Sequence, residues 1–260
     1  MGQKRNEKKR YIPRDNKLNF TLNQFSGSSI FKDIRSEAEE EIHNKLESKI
    51  DEFIELANFN WLMSEPSGMA SPWLMDLIAF LKSVFLQFTN LPVKLAQRTC
   101  MSGCQHLARA LMNMLMDENV KGVSHGVIEQ LDLDVLQCEM FAAGEPIKGL
   151  EEGILVMCFS DLRQLLDLFN SWDWSTYFAD YGQEKAKYSR VRPQTALTLL
   201  DKLKEAEKKN VFSSIINKKD RDKKRLVDLV YKQLQGLTLG SGGNSGAAAS
   251  SSNNTMSKEG

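Results

Sequence analysis

The side chains best suited to chemistry here are three histidines, four cysteines and two aspartates set among aromatics. His43, His106 and His125 fall in three different helical patterns, and none has a second His or Cys at ligand spacing with a carboxylate nearby. Cys100 and Cys104 share a helix face, while His106 points elsewhere. A structural zinc site wants a two-residue spacer and a second ligand pair. These thiols therefore read as small buried apolar groups, and no metal is expected. Asp173 and Asp180 read as perturbed carboxylates or, more simply, as helix caps that bond Trp and Tyr polar groups. The sequence has no Gly-x-Ser-x-Gly elbow, no phosphate-binding glycine loop and no His-Glu-x-x-His. No catalytic residue and no cofactor is assigned, which favours an interaction module over an enzyme.

Charge narrows the partners. The 260 residues carry a formal net charge of zero, which removes any global pull towards nucleic acid or anionic lipid. Locally the balance is uneven. The first 25 residues hold seven Lys/Arg against two Asp/Glu and few apolar side chains, the composition of a disordered basic segment. Lys202–Arg225 carries a net +6. Aromatics that stack on bases are almost absent from it, Phe212 standing alone, so no nucleic acid is expected. It reads as a solvated linker between helices, with peripheral contact to an anionic membrane as the alternative. No apolar leader follows the N-terminus and no run of eighteen apolar residues occurs, so the expected compartment is the cytosol with reduced thiols.

Helices must position these groups. From Phe31 to Phe59, Ile34, Ala38, Ile42, Leu46, Ile50, Phe53 and Ile54 recur at spacings of three and four. Within this helix Ser36–Glu55 holds eight carboxylates and two lysines. Ser71-Pro72 is a strong helix start, with Ser as N-cap and Pro at the first helical position. Leu74, Leu77, Ile78, Leu81, Val84, Phe85 and Phe88 follow as an apolar stripe. Further helices are predicted over Val93 to about Asp117, Ser124 to Ala143, Glu151 to Asn170, Pro193 to Ala206 and Leu226 to Leu237. Between them, Trp172, Trp174, Tyr177, Phe178 and Tyr181 crowd into ten residues, as a core corner or a platform for a partner. Residues 240–260 are Gly, Ser, Ala and Asn with few large apolar side chains, the composition of a disordered tail. No strand pattern appears. The expected fold is all-α, with successive helices packed as elongated stacked bundles.

Several strings, among them FKDIRSEAEEEIHNKLESKIDEFIELANFNW, WLMDLIAFLKSVF, CMSGCQHLARALM, LDLDVLQCEMFA and above all WDWSTYFADYG, resemble the C-terminal domain of the exocyst component 6 family. The resemblance spans about Phe25 to Leu237. It implies an exocyst-type helical rod in two subdomains, placed here at 26–145 and 146–239. It also implies a subunit that acts in docking secretory and recycling vesicles at the plasma membrane. Its partners would be GTP-bound Rab GTPases and other exocyst subunits, and its location cytoplasmic and peripheral to those membranes. The helix from Ser124 and the aromatic segment mix apolar and polar residues, as a surface reading a GTPase would. The candidate contact residues are Asp132, Asp134, Gln137, Asn170, Trp172 and Asp173. For Trp172 and Trp174 simple burial is the competing reading. A structural rod that packs on other subunits without touching a GTPase is the competing function.

Overall fold

The computed structural model describes residues 16–144, 146–210 and 218–241, and among them every regular element is helical. The helices are α1 (Asn16–Glu55), α2 (Pro72–Phe88), α3 (Val93–Met116), α4 (His125–Ala143), α5 (Ser160–Ser171), α6 (Trp174–Ala179), α7 (Pro193–Asn210) and α8 (Lys218–Ser241). α1 begins inside the segment read as a basic tail, whose first 15 residues lie outside the described ones, as do residues 242–260 of the C-terminal tail.

α1 lies along α3, and the two run parallel. His43 Nε2 meets the Thr99 hydroxyl at 2.8 Å, the Ser102 hydroxyl donates to Glu47 at 2.8 Å, and His106 Nε2 meets Asp51 at 2.7 Å. These rungs rise together through both helices. α2 packs on α1 and α4, α4 on α5, and α7 on α3 and α8. Buried side chains form one contiguous core from Leu46 in α1 to Leu234 in α8. Gly103 in α3 lets Leu46 come close, since a Cβ there would meet its Cδ2 at 2.8 Å. Cys100, Cys104 and Cys138 lie in this core and Cys158 is half-buried, all as free thiols. Burial pushes the Cys100 thiol up to about 12, which leaves it an inert apolar group. Among the described residues no three His, Cys, Asp or Glu side chains are placed to hold a metal ion. Nor is any described helix long and apolar enough to cross a membrane.

α1 starts well before the helix expected from Phe31 and α8 starts at Lys218 instead of Leu226, and three further features differ from their sequence reading. The helix expected over Glu151–Asn170 starts later. Gly153 has φ +75°, a left-handed turn that an α-helix cannot absorb, and a 3₁₀ turn over Val156–Phe159 precedes α5. Ser71 occupies the N-cap of α2 with Pro72 following, but its hydroxyl caps nothing on its own helix and donates instead to Asp134. Lys202, at the start of the run expected to be a solvated linker, is buried within α7. Its ammonium donates to the carbonyls of Leu115 at 2.9 Å and Asp117 at 2.6 Å, satisfying the exposed C-terminal end of α3. Burial lowers its pKa, against the Asp117 charge. Residues 211–217 of that run lie outside the described ones.

The start of α4 is pinned by a close backbone approach. Ser124 N–H donates to the Trp61 carbonyl at 3.0 Å and its hydroxyl donates to the Met63 carbonyl. A Cβ on Gly126 would meet Met63 O and Ser64 C at 2.7 Å and Glu65 N at 2.8 Å. Because these are backbone atoms, they cannot swing aside. Gly126→Ala is expected to lower unfolding stability by about 2–3 kcal/mol, read as a shift in the urea midpoint at unchanged slope. An unaltered midpoint would show that the 63–65 loop moves freely.

Candidate functional site

α4 is apolar on nearly every side. Val127, Ile128, Leu131, Val135, Cys138, Phe141 and Ala142 are buried against α2 and the elements that lead into α5. Leu133, Leu136 and Met140 form a second line at spacings of three and four that faces away from the core. Leu136 is 44% exposed and Met140 60%. Large apolar side chains at that exposure, ringed by polar groups, are the ordinary anatomy of an interface core and rim.

The ring is charged. Arg163 of α5 reaches back to α4. It donates to Glu139 through Nε at 3.0 Å and Nη2 at 2.8 Å, and through Nη1 to Asp132. Burial pushes the Asp132 carboxyl up and Arg163 opposes this, while Glu139 and Asp167 push the same way as burial. For Arg163, burial works against the charge, but the Glu139 hydrogen bond and the nearby carboxylates outweigh it and hold the guanidinium above its ordinary value. Further along α5, Asp167 meets Lys187 at 3.2 Å, and the same ammonium meets Asp173 at 3.4 Å. Asp173 also accepts from the Tyr188 hydroxyl at 3.2 Å. Hydrogen bonding from Thr176 leads the causes that hold Asp173 below the usual carboxylate range, followed among the favourable ones by Lys187 and Tyr188. A ladder of alternating charge thus runs from α4 across α5 to the loop after α6.

The sequence candidates distribute unevenly on this surface. Asp132 and Gln137 are half-exposed on α4 beside Leu136 and Met140. Asn170, Trp172 and Asp173 are half-exposed at the corner between α5 and α6. Asp134 is a correction: it is fully buried, so it offers a partner nothing. Its carboxylate accepts the Ser71 N–H at 2.6 Å, the Ser71 hydroxyl at 2.8 Å and the Gln130 amide at 3.3 Å. Gln130 one turn earlier accepts from Ser67 N–H at 2.8 Å and donates to the Met69 carbonyl at 2.9 Å. Together the two side chains fasten the 67–71 loop and the N-terminus of α2 onto α4.

The tryptophans divide. Trp174 is 4% exposed and packs edge-to-face on Phe169 at 5.1 Å and Tyr177 at 5.7 Å, a core anchor. Trp172 is half-buried and sits at φ 55°, the single non-glycine residue in the left-handed region among the described ones. It closes α5 where glycine or asparagine would be unstrained, at a cost on the order of 1 kcal/mol. Edge-to-face contacts with Phe169 and Trp174 hold it there.

Sequence reasoning missed Leu136, Met140, Arg163 and Lys187. The first two were visible as a second apolar line on a helix whose main stripe was already complete. The two cations had no local signal, because their partners come from other elements.

Residues 7–202 match the family described as "Exocyst complex subunit Sec15 C-terminal". Exocyst complex component 6 of Homo sapiens is 56% identical over 214 residues, which cover 82% of this chain and 27% of that protein. Exocyst complex component 6B of Mus musculus is 51% identical over 211 residues, covering 81% of this chain and 26% of that one. The Drosophila melanogaster component 6 is 43% identical over 208 residues, covering 80% and 27%. Among solved structures, the Sec15 C-terminal domain crystal structure aligns with TM-score 0.45 and 39% identity over 53% of this chain and 43% of that one. The chain therefore spans about a quarter of the length of the curated relatives it matches.

Proposed function

This chain belongs to the exocyst Sec15 C-terminal family, and from that membership we propose that it serves as the GTPase-binding part of a vesicle tether acting in exocytosis. Its partner would be a Rab protein in the GTP state, its wider neighbours other exocyst subunits, and its place cytoplasmic at vesicle and plasma-membrane surfaces. The observation that carries the reading is the exposed pair Leu136 and Met140 on α4, bordered by Asp132, Gln137 and Arg163. GTP orders the switch segments of a small GTPase into a mixed apolar and polar face. A rigid helix with two apolar anchors and a polar rim is complementary to such a face, because ordering has been completed before contact. Tethering needs binding surfaces and reach, without bond-making.

The test is a binding panel of Rab GTPases, each loaded with a GTP analogue or GDP, against the folded chain. The expected result is retention of one or two Rabs, at least tenfold stronger in the GTP form. Equal retention of both nucleotide states by a helical, cooperatively folding sample would replace this reading with that of a structural rod.

A further inference from the structure

The tyrosines around the loop between α6 and α7 are not equivalent. Tyr177 and Tyr188 are each 3% exposed, and their hydroxyls donate to the Val191 carbonyl and to Asp173, both at 3.2 Å. Tyr231 of α8 is half-buried beneath the Lys204 ammonium. Tyr181 is 40% exposed: its ring rests on Tyr177 at 5.8 Å, and its hydroxyl has no partner among the described residues. The chain that carries it is loosely held. Residues 181–185 are exposed and Gly182 takes φ +84°. The backbone bonds there are single turns, from Gln183 N–H to the Asp180 carbonyl at 3.0 Å and from Ala186 N–H to the Gln183 carbonyl at 3.2 Å. Drawing 180–185 into an extended strand therefore breaks turn hydrogen bonds but uproots no buried side chain.

The flanks are acidic. Asp180 precedes Tyr181 and Glu184 follows it by three residues, and neither carboxylate is in an ion pair among the described residues. Lys185 comes next, while Lys187 and Arg190 are drawn off to Asp167, Asp173 and Asp161. Asp180, Tyr181 and Glu184 line a cavity of about 360 Å³ together with Arg192, whose guanidinium also has no ion pair among the described residues. We propose that Tyr181 is a phosphorylation site for a tyrosine kinase with a basic substrate groove, and that Arg192 holds the product phosphate. Kinases choose substrates by complementary charge around the acceptor, and the two free carboxylates supply it. The phenol oxygen attacks the γ-phosphorus of a nucleoside triphosphate, the bond to the bridging oxygen breaks, the diphosphate leaves, and the phenol proton passes to the kinase's base. The carboxylates that attract the kinase repel the dianion it leaves behind, and the guanidinium across the cavity offsets them. The inference does not depend on the GTPase reading.

The experiment incubates the whole chain with magnesium ATP and a tyrosine kinase catalytic domain that accepts glutamate–tyrosine copolymer, and maps the phosphate by mass spectrometry. Tyr181 is expected to react at least ~10-fold faster than Tyr177, Tyr188 or Tyr231, and than Tyr11, which follows Lys8, Lys9 and Arg10 outside the described residues. Tyr181→Phe keeps the ring against Tyr177, so it should fold as the parent does and lose that phosphate. Asp180→Asn with Glu184→Gln should lower kcat/KM roughly tenfold at unchanged circular dichroism, because neither carboxylate has a partner to lose. In the phosphorylated chain the phosphorus NMR resonance should titrate roughly half a pH unit lower than in an Arg192→Ala variant. No phosphate on Tyr181, phosphate that goes first to another tyrosine, or uptake indifferent to the two carboxylates overturns the site. Equal titration midpoints overturn the hold by Arg192.

Discussion

Asp134→Ala is expected to cost about 3 kcal/mol of unfolding free energy at neutral pH, whereas Asp134→Asn should cost less than about 1 kcal/mol. Alanine leaves two donors without an acceptor in a site closed to water, the Ser71 N–H and the Ser71 hydroxyl, while the Gln130 amide keeps the Met69 carbonyl. It also removes the negative group set at the N-terminus of α2. Asparagine keeps one carbonyl for the Ser71 N–H, and the Ser71 hydroxyl can turn to accept from the new amide. Urea unfolding of the three proteins checks the ranking. An Asn variant as unstable as Ala would mean that the negative charge itself, and not the hydrogen-bond set, holds the loop.

The pH dependence of the same pair has a definite sign. Burial leads the effects on Asp134 and raises its carboxyl above the ordinary value of 3.8, against the hydrogen bonds from Ser71 and Gln130. A raised folded-state pKa means that folding favours the protonated form. That stabilising contribution is complete below the unfolded pKa and is lost as pH rises through the folded one. Asp134→Asn has no such group, so its stability relative to the parent should improve as pH is raised from about 4 to 7. A constant difference across that range would place the folded pKa at its unfolded value.

Much of this fold could be read from spacing. The stripe of α2, its start at Pro72, and the extents of α3 and α4 follow from apolar periodicity and two prolines, and the structure places them within a residue or so. The buried polar groups are legible in the same periodicity. Asp134 stands in register with Val127, Leu131 and Cys138, and Lys202 with Leu199 and Ala206. A charge in phase with an apolar stripe is a buried charge that needs a partner. Composition pointed the other way, since Lys202 begins a basic run and Asp134 sits near other carboxylates. What the sequence withheld was the partner, because Ser71 and the carbonyls of Leu115 and Asp117 lie far away in the chain. The left-handed backbone at Trp172 had no signal at all: its residue type argues against that conformation, and only its packing on Phe169 and Trp174 sustains it.

Replacing Leu136 and Met140 together with glutamate is expected to weaken GTP-dependent Rab binding at least ~100-fold while leaving the melting temperature within a few degrees of the parent. The two outcomes separate because these side chains face away from the core, so charge there meets water in the free protein and an apolar surface only in the complex. Trp172 and Trp174 cannot make that separation. Truncating either removes aromatic packing at the α5–α6 corner and lowers stability together with any binding. The rim is tested through Arg163. Asp132→Asn and Arg163→Ala each break the same ion pair, so a double-mutant cycle reports whether they act on the partner as one unit. Additive losses in affinity would mean that each touches the GTPase separately. Coupled losses would mean that Arg163 acts by holding Asp132 in place beside the apolar anchors. Full binding by the Leu136 and Met140 double variant would move the contact off this face of α4 and towards the corner formed by Asn170, Trp172 and Asp173.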